Sequence, residues 1–463
     1  MKPTIPLFIL LKALISSNVA AQKSADFAYP KILSMQERAA IEDEWLNQRL
    51  NTIIPRIMRQ NNVDMWVLIS REYNEDPVLS TMLPATWFAS RRRTVLVFHD
   101  RGSENGGVER FAISRYALKG IGGEDLFPAK WDSEEEPNQW KRLADLVKER
   151  DPKTIAVNSS KTFALADGIS HSQYSEFMAS LPDQYKARVS NHDALAISWL
   201  ETRIPSEMER YGNIVQIAHA IIAEGLSEKV IIPGKTTASD VSWWYRDKIR
   251  SLKLQTWFHP SVSIQRAKSL SGDQKFTELF SGTNQNTLQK GDLIHVDFGI
   301  TYLGLNTDTQ QHAYILRDGE TDTPAGLKNA LRKGNQLQDI LVSFFKSGRS
   351  GNEALKLARQ KALAEGINPS IYTHPIGYHG HAAGATIGLW DQQGGVKDRG
   401  DYPINDNTAW SIELSTLQKI PEWNDQEIRI MLEEDGFFSG SDFYYLNGRQ
   451  KAFHLIPRQS NNY

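Results

Sequence analysis

The sequence predicts an α/β unit followed by an α+β unit. Three observations carry this expectation. Strand-like apolar runs alternate with helical patterns between residues 25 and 200, a long amphipathic helix opens just after Arg203, and strand and hairpin patterns dominate from there to the end. The chain has 463 residues, 40% of them hydrophobic, enough for two domains that each bury a core. A net charge of −2 argues against nucleic acid or an anionic membrane as the main partner. The runs Arg91-Arg92-Arg93 and Glu134-Glu135-Glu136 are short and read as solvated faces.

Taken in order, the first 21 residues read as a signal peptide. Lys2 supplies the positive start, "PLFILLKALI" the apolar core, and Val19-Ala20-Ala21 the small residues before Gln22. The segment is too short and too interrupted to span a bilayer, so the expected fate is export, to the periplasm or beyond. No later stretch reads as transmembrane. With no cysteine, neither a disulfide nor a lipidated thiol is available, and any metal must be held by histidines and carboxylates.

Residues 22–200 form the expected α/β domain, with strands near 64–70, 94–100 and 154–158 and a helix in "NQWKRLADLVKERD". Residues 201–463 form the second. Its opening, "RIPSEMERYGNIVQIAHAIIAEGL", offers Ser206 and Glu209 as a capping box after Pro205, then the stripe Met208, Tyr211, Val215, Ala218, Ile222, and Gly225 as a stop. Another helix is expected over 238–252. Trp243 and Trp244 on it read as core, while Trp257 and Trp390 lie beside motif segments and could wall an apolar subsite.

The chemistry begins in "GDLIHVDFGITYLGLNTDTQQH". Drawn as a hairpin turning near Tyr302-Leu303, it sets Asp297 opposite Asp308 with Cβ atoms roughly 5 Å apart. Acids so close need a shared proton or cations between them. Taken alone, such a pair is more often a solvated sheet face. Further acids change the balance: Glu413 in "AWSIELS", between Ile412 and Leu414 where an unpaired charge is costly, and Glu433 at the end of the strand-like run in "IRIMLEED". "HPIGYHGHAAGATIG" adds His374, His379 and His381. Four acids and a histidine make an oxygen-rich, two-cation site able to polarise a carbonyl and generate hydroxide.

These segments resemble the pita-bread metallopeptidases, the family of methionine aminopeptidase, aminopeptidase P, prolidase and creatinase, whose ligands run Asp, Asp, His, Glu, Glu. "GDLIHVDFG", "NTDTQQH", "GHAAG", "SIELS" and "LEED" match that order, and the helix after Arg203 resembles the start of the family's catalytic domain. The N-terminal unit is similar to that of the two-domain creatinase-like members. The resemblance implies a creatinase-like α/β domain before a pita-bread catalytic domain. Asp297, Asp308, His381, Glu413 and Glu433 would hold two divalent ions, with manganese foremost and zinc, cobalt or iron as alternatives, and Glu413 would double as general base. The implied reaction is removal of residues from the N-terminus of short peptides, as in an Xaa-Pro aminopeptidase or dipeptidase. Homo-oligomers are common in the family and one is open here.

The family's further histidines are missing: the upstream position falls near Phe280, Trp390-Asp391 stands where a His and an acid are usual, and Met431 and Gln311 replace arginines. His379 is open as an alternative ligand, a replacement proton shuttle, or a loop histidine bonded to backbone. His374 and His259, each before a proline, read as loop-shaping. His295 and His312 flank the acid pair as supports for its carboxylates, and His219 reads as structural. A non-catalytic peptide- or partner-binding protein of this fold and a metal-free creatinase-like hydrolase are the competing readings.

Overall fold

The computed structural model describes residues 27–268 and 287–459. The proposed signal peptide and Phe280 lie outside them.

The N-terminal half starts with α1 (Met35–Gln60). Ser34 caps it, its hydroxyl accepting from the Glu37 amide while the Glu37 carboxylate accepts from the Ser34 amide. Next come β1 (Met65–Arg71), α2 (Pro77–Ser80), β2 (Arg93–Asp100), β3 (Val108–Ile113), α3 (Gln139–Arg150), β4 (Ile155–Val157), β5 (Val189–Asn191) and α4 (Asp193–Glu201). The sheet order is β3-β2-β1-β4-β5, antiparallel on the β2 side and parallel on the β4 side. Every residue from Met65 to Ser70 is buried, as expected of a central strand covered on both faces. This is the expected α/β unit.

The second half opens with α5 (Pro205–Gly225) and α6 (Ala238–Ser251). Tyr211, Val215, Ala218 and Ile222 are buried along α5, and Gly225 ends it. The cap differs from the expected Ser206–Glu209 box. Pro205 takes the first helical position, Ile204 precedes it, and Glu207 reaches back to accept from the Ile204 amide at 3.0 Å. A proline has no N–H to satisfy, so the start moves two residues earlier and Ser206 instead donates to Gln48. On α6, Trp243 is 59% exposed rather than core, while Trp244 packs partly buried.

The remaining elements are β6 (Ser261–Gln265), β7 (Leu293–Phe298), β8 (Thr309–Ile315), α7 (Ala325–Val342), α8 (Gly351–Ala364), β9 (Asn368–Ile371), β10 (His374–Ile376), β11 (Thr408–Ser411), β12 (Leu414–Ile420), β13 (Gln426–Leu432), β14 (Asp435–Phe438), β15 (Phe443–Tyr445) and β16 (His454–Ile456). They build three sheets, ordered β16-β8-β7-β6, β9-β12-β13 and β10-β11-β14-β15. An antiparallel bridge between Gln310 and Glu433 joins the first to the end of β13. The expected α+β unit is therefore present.

One core runs through both halves, from Trp45 and Ile54 on α1 through Trp66 and Trp199 to Tyr211, Val296 and Phe437. At its centre Arg49 and Glu207 form an ion pair at 3.1 Å with both side chains fully buried, and Arg203 approaches the same carboxylate at 3.5 Å. The Tyr378 ring lies 4.9 and 4.7 Å from the two guanidiniums. Tyr378 belongs to the histidine-rich segment, so this buried cluster ties that segment to the N-terminal half. Among the described residues, no helix is long and apolar enough to cross a membrane.

Candidate metal centre and active site

The β7–β8 register sets the first acids. Asp297 pairs with Gln310, not with Asp308 as the hairpin drawing had it. The turn falls at Leu303-Gly304, both at positive φ, one residue later than expected, which slides the pairing by two. A two-residue slide keeps the face. Asp308 thus sits diagonally from Asp297 on the same side, and its amide donates to the buried Asp435 carboxylate at 3.2 Å.

Glu433 follows directly on β13, and Glu413 lies between β11 and β12 with its carbonyl accepting from the Tyr372 amide and the Thr373 hydroxyl. All four acids converge. Donor atoms of Asp297, Asp308 and Glu433 lie within 4.8 Å of one another, as do those of His374, Glu413 and Glu433 and those of Asp308, His374 and His381. Burial pushes Asp297, Asp308 and Glu413 well above the ordinary carboxylate range, with the Glu433 charge as the next cause for each. Glu433 itself is raised to about 7, first by burial; hydrogen bonds from Ser411, Gln310 and Asp308 hold it from going higher.

Two histidines reach this cluster: the expected His381, grouped with Asp308, and the more deeply buried His374, grouped with Asp308, Glu413 and Glu433. His374 was read as loop-shaping, yet it opens β10 opposite Ser411 and is 3% exposed. Its Nδ1 faces the Pro375 carbonyl at 3.0 Å, and a carbonyl can only accept, so Nδ1 carries the proton and Nε2 presents a bare lone pair. That lone pair points at Glu433 and Asp308, 3.8 and 4.0 Å from their oxygens. His381, the expected ligand, stands at the rim: it is exposed, with its ring edge-on to His374 at a centroid distance of 4.8 Å. His379 turns away to the Pro77 backbone at the start of α2 and joins no group of converging donors among the described residues. The signal for His374 was present but unused: it has a strand's apolar neighbours, as the acids do, whereas His381 follows a glycine in a loop.

Three residues at the cluster carried no readable signal. Gln310 donates to both Glu413 and Glu433, Ser411 donates to Glu433, and Asp435 braces the Asp308 backbone. His295 and His312 are buried but touch no carboxylate directly: His295 bonds Gln310, and His312 lies between the Ile294 carbonyl and the Met431 amide. The mouth is aromatic. Trp257 lies 5.1 Å and Tyr372 5.8 Å from the His381 ring, and Trp390 lies 6.2 Å from Tyr372, so Trp257 borders the site directly and Trp390 only through Tyr372. The exposed Arg399 places its charge near His381 and Tyr372.

The model of metallopeptidase family M24 matches residues 206–437, half of the chain and every residue of this cluster. The chain belongs to metallopeptidase family M24. Solved structures extend the likeness in fold beyond the matched segment. An X-Pro aminopeptidase from Thermotoga maritima MSB8 superposes with a TM-score of 0.60 at 16% identity, covering 87% of this chain and all of that one. An Xaa-Pro dipeptidase from Bacillus anthracis gives 0.56 at 16%, covering 91% and 100%. The N-terminal domain of the FACT complex subunit SPT16 from chickpea gives 0.52 at 10%, covering 91% and 98%. The two-domain pita-bread architecture is therefore that of the whole chain, although fold alone does not assign activity. No curated protein matches the sequence.

The M24 residues here fit a metal. Asp297 Oδ1, Asp308 Oδ1 and His374 Nε2 are buried and have no hydrogen-bond partner among the described residues. Buried polar atoms are rarely left so, and carboxylate oxygens plus one neutral imidazole nitrogen suit a hard or borderline divalent cation.

Proposed function

We propose that this M24 protein is a metal-dependent exopeptidase that removes residues from the N-terminus of short peptides, in the manner of an Xaa-Pro aminopeptidase or dipeptidase. The observation that carries it is the bare Nε2 of His374 aimed at two carboxylates. Lone pairs facing each other repel unless a cation lies between. Burial holds the His374 imidazole down to about 3, so the imidazole itself stays neutral at neutral pH, and in the metal-free protein only a proton kept on Asp308 or Glu433 can take the place of a cation.

In this reading Asp297, Asp308, His374, Glu413 and Glu433 hold two divalent cations, manganese foremost, whose four positive charges balance the four carboxylates. His374 takes the ligand position that the sequence motif gave to His381. Cations there would supply Lewis-acid polarisation of the scissile carbonyl and a water acidic enough to attack near neutral pH. Glu413 would be the general base of such a site, holding the proton and passing it to the leaving amine. Its carboxylate is held by Gln310 at 2.8 Å, which fixes where the proton goes. His381, exposed at the rim, is placed to steady the substrate carbonyl or the leaving nitrogen. Trp257, Tyr372 and Trp390 give flat apolar walls suited to a proline ring, and Arg399 suits the free carboxylate of a short peptide. Export remains part of the proposal, since its signal lies outside the described residues.

The test is hydrolysis of a panel of di- and tripeptides, with and without proline second, by manganese-loaded protein. The expected outcome is release of the N-terminal residue, lost on adding EDTA, with free-carboxylate peptides turned over faster than their amides. No hydrolysis of any peptide by metal-loaded protein would contradict the reading and favour a binding protein.

A further inference from the structure

Gln310 stands on β8 directly across from Asp297 and is 4% exposed. Its Nε2 lies 2.8 Å from Glu413 Oε1 and 2.8 Å from Glu433 Oε2. Ionised carboxylates only accept, so the amide must turn its NH₂ toward them and spend one hydrogen on each. The carbonyl end then needs a donor, and His295 Nε2 stands 2.9 Å from it. That assigns the His295 proton to Nε2 and leaves Nδ1 as an acceptor, 3.4 Å from the Ser263 hydroxyl. Donation therefore runs one way, from Ser263 through His295 and Gln310 to the two glutamates. The backbone locks the same place: the Gln310 amide donates to the Glu433 carbonyl at 2.9 Å, and the return bond is 3.3 Å.

We propose that Gln310 is a positioning residue for the metal centre, its amide oriented by His295 so that it clamps Glu413 and Glu433 with their remaining lone pairs facing the cations. The proposal rests on the metallopeptidase reading above. A neutral double donor suits the task. It donates to both carboxyl groups without adding charge of its own, and it settles both side chains before a cation arrives, removing rotamer freedom that binding would otherwise have to remove. Ser411 reaches Glu433 alone, so it cannot couple the pair. A glutamate at 310 would add a fifth acid in place of the two donors.

The experiment is Mn²⁺ affinity, measured on metal-free full-length protein by competition with a chelating dye, for wild type, Gln310→Met, His295→Phe and the double variant, each checked for a cooperative thermal transition in EDTA. Gln310→Met is expected to bind Mn²⁺ about 10- to 100-fold more weakly, the usual loss when a group supporting a ligand is removed. His295→Phe is expected to weaken binding less, because the amide can then turn over. The double variant should match Gln310→Met alone, since both changes break one chain. Unchanged affinity in folded Gln310→Met, or losses that multiply in the double variant, would overturn the proposal while leaving the metal reading intact. Should Gln310→Met fail to fold, His295→Phe decides: weaker binding supports the clamp and wild-type binding overturns it. Wild-type protein that takes up no Mn²⁺ would overturn the metal reading and the clamp with it.

Discussion

Replacing His374 with alanine is expected to reduce divalent-ion affinity by more than about 100-fold, beyond the loss typical of a supporting residue, and to reduce peptide turnover below detection. Replacing His381 with alanine is expected to leave the ion content intact and lower turnover alone. The contrast follows from geometry. His374 is buried with its free nitrogen 3.8 and 4.0 Å from two carboxylate oxygens, whereas His381 meets solvent and its ring packs on Trp257 and His374. Metal analysis of the two variants with a single-substrate assay checks this. Retained ion in His374→Ala with loss in His381→Ala would restore the assignment that the sequence motif suggests.

The stability conferred by ion binding is expected to grow as pH rises from about 4 to about 7. Asp297, Asp308, Glu413 and Glu433 all have their folded-state pKa raised, chiefly by burial and then, for the first three, by the Glu433 charge. Below pH 4 these groups are protonated in both folded and unfolded chains and impose no penalty. Above it the unfolded chain ionises freely, while the metal-free fold must keep its protons, so stability is lost until the folded groups titrate. For Glu433, moved from 4.5 to about 7, the loss amounts to about 3 kcal/mol by the upper pH. Cations remove that loss by pairing with the ionised forms.

Buried His295 and His312 and half-buried His454, whose pKa values desolvation lowers to about 4, 3 and 4, act in the opposite direction, withdrawing stability as pH falls. They do so with or without metal, so the informative quantity is the difference in Tm between Mn²⁺-loaded and EDTA-treated protein across pH 4 to 8. A difference that stays flat or shrinks with rising pH would contradict the account.

The acids were legible in the sequence for a physical reason. Glu413 and Glu433 stand among isoleucines, leucines and a methionine where a lone charge would be prohibitive, and the structure buries both. The amphipathic stripe of α5 was legible in the same way. What was hidden depends on contacts distant in sequence. Three histidines within eight positions cannot be ranked until β10 pairs with β11 and carries His374 inward. The Asp297–Gln310 register depended on where the chain could adopt positive φ, which proved to be Leu303-Gly304. Gln310 gave no warning because an uncharged amide on a strand violates no rule. Only the fold, by bringing residues 413 and 433 to it, makes it informative.

The most direct measurement is the ion count of the purified protein after loading with Mn²⁺ and removal of free metal. The account predicts close to two divalent ions per chain in wild type and their loss in His374→Ala. Wild-type protein that is folded yet retains no ion would contradict it, because four converging acids, three of them buried, around a bare imidazole nitrogen would then need another explanation.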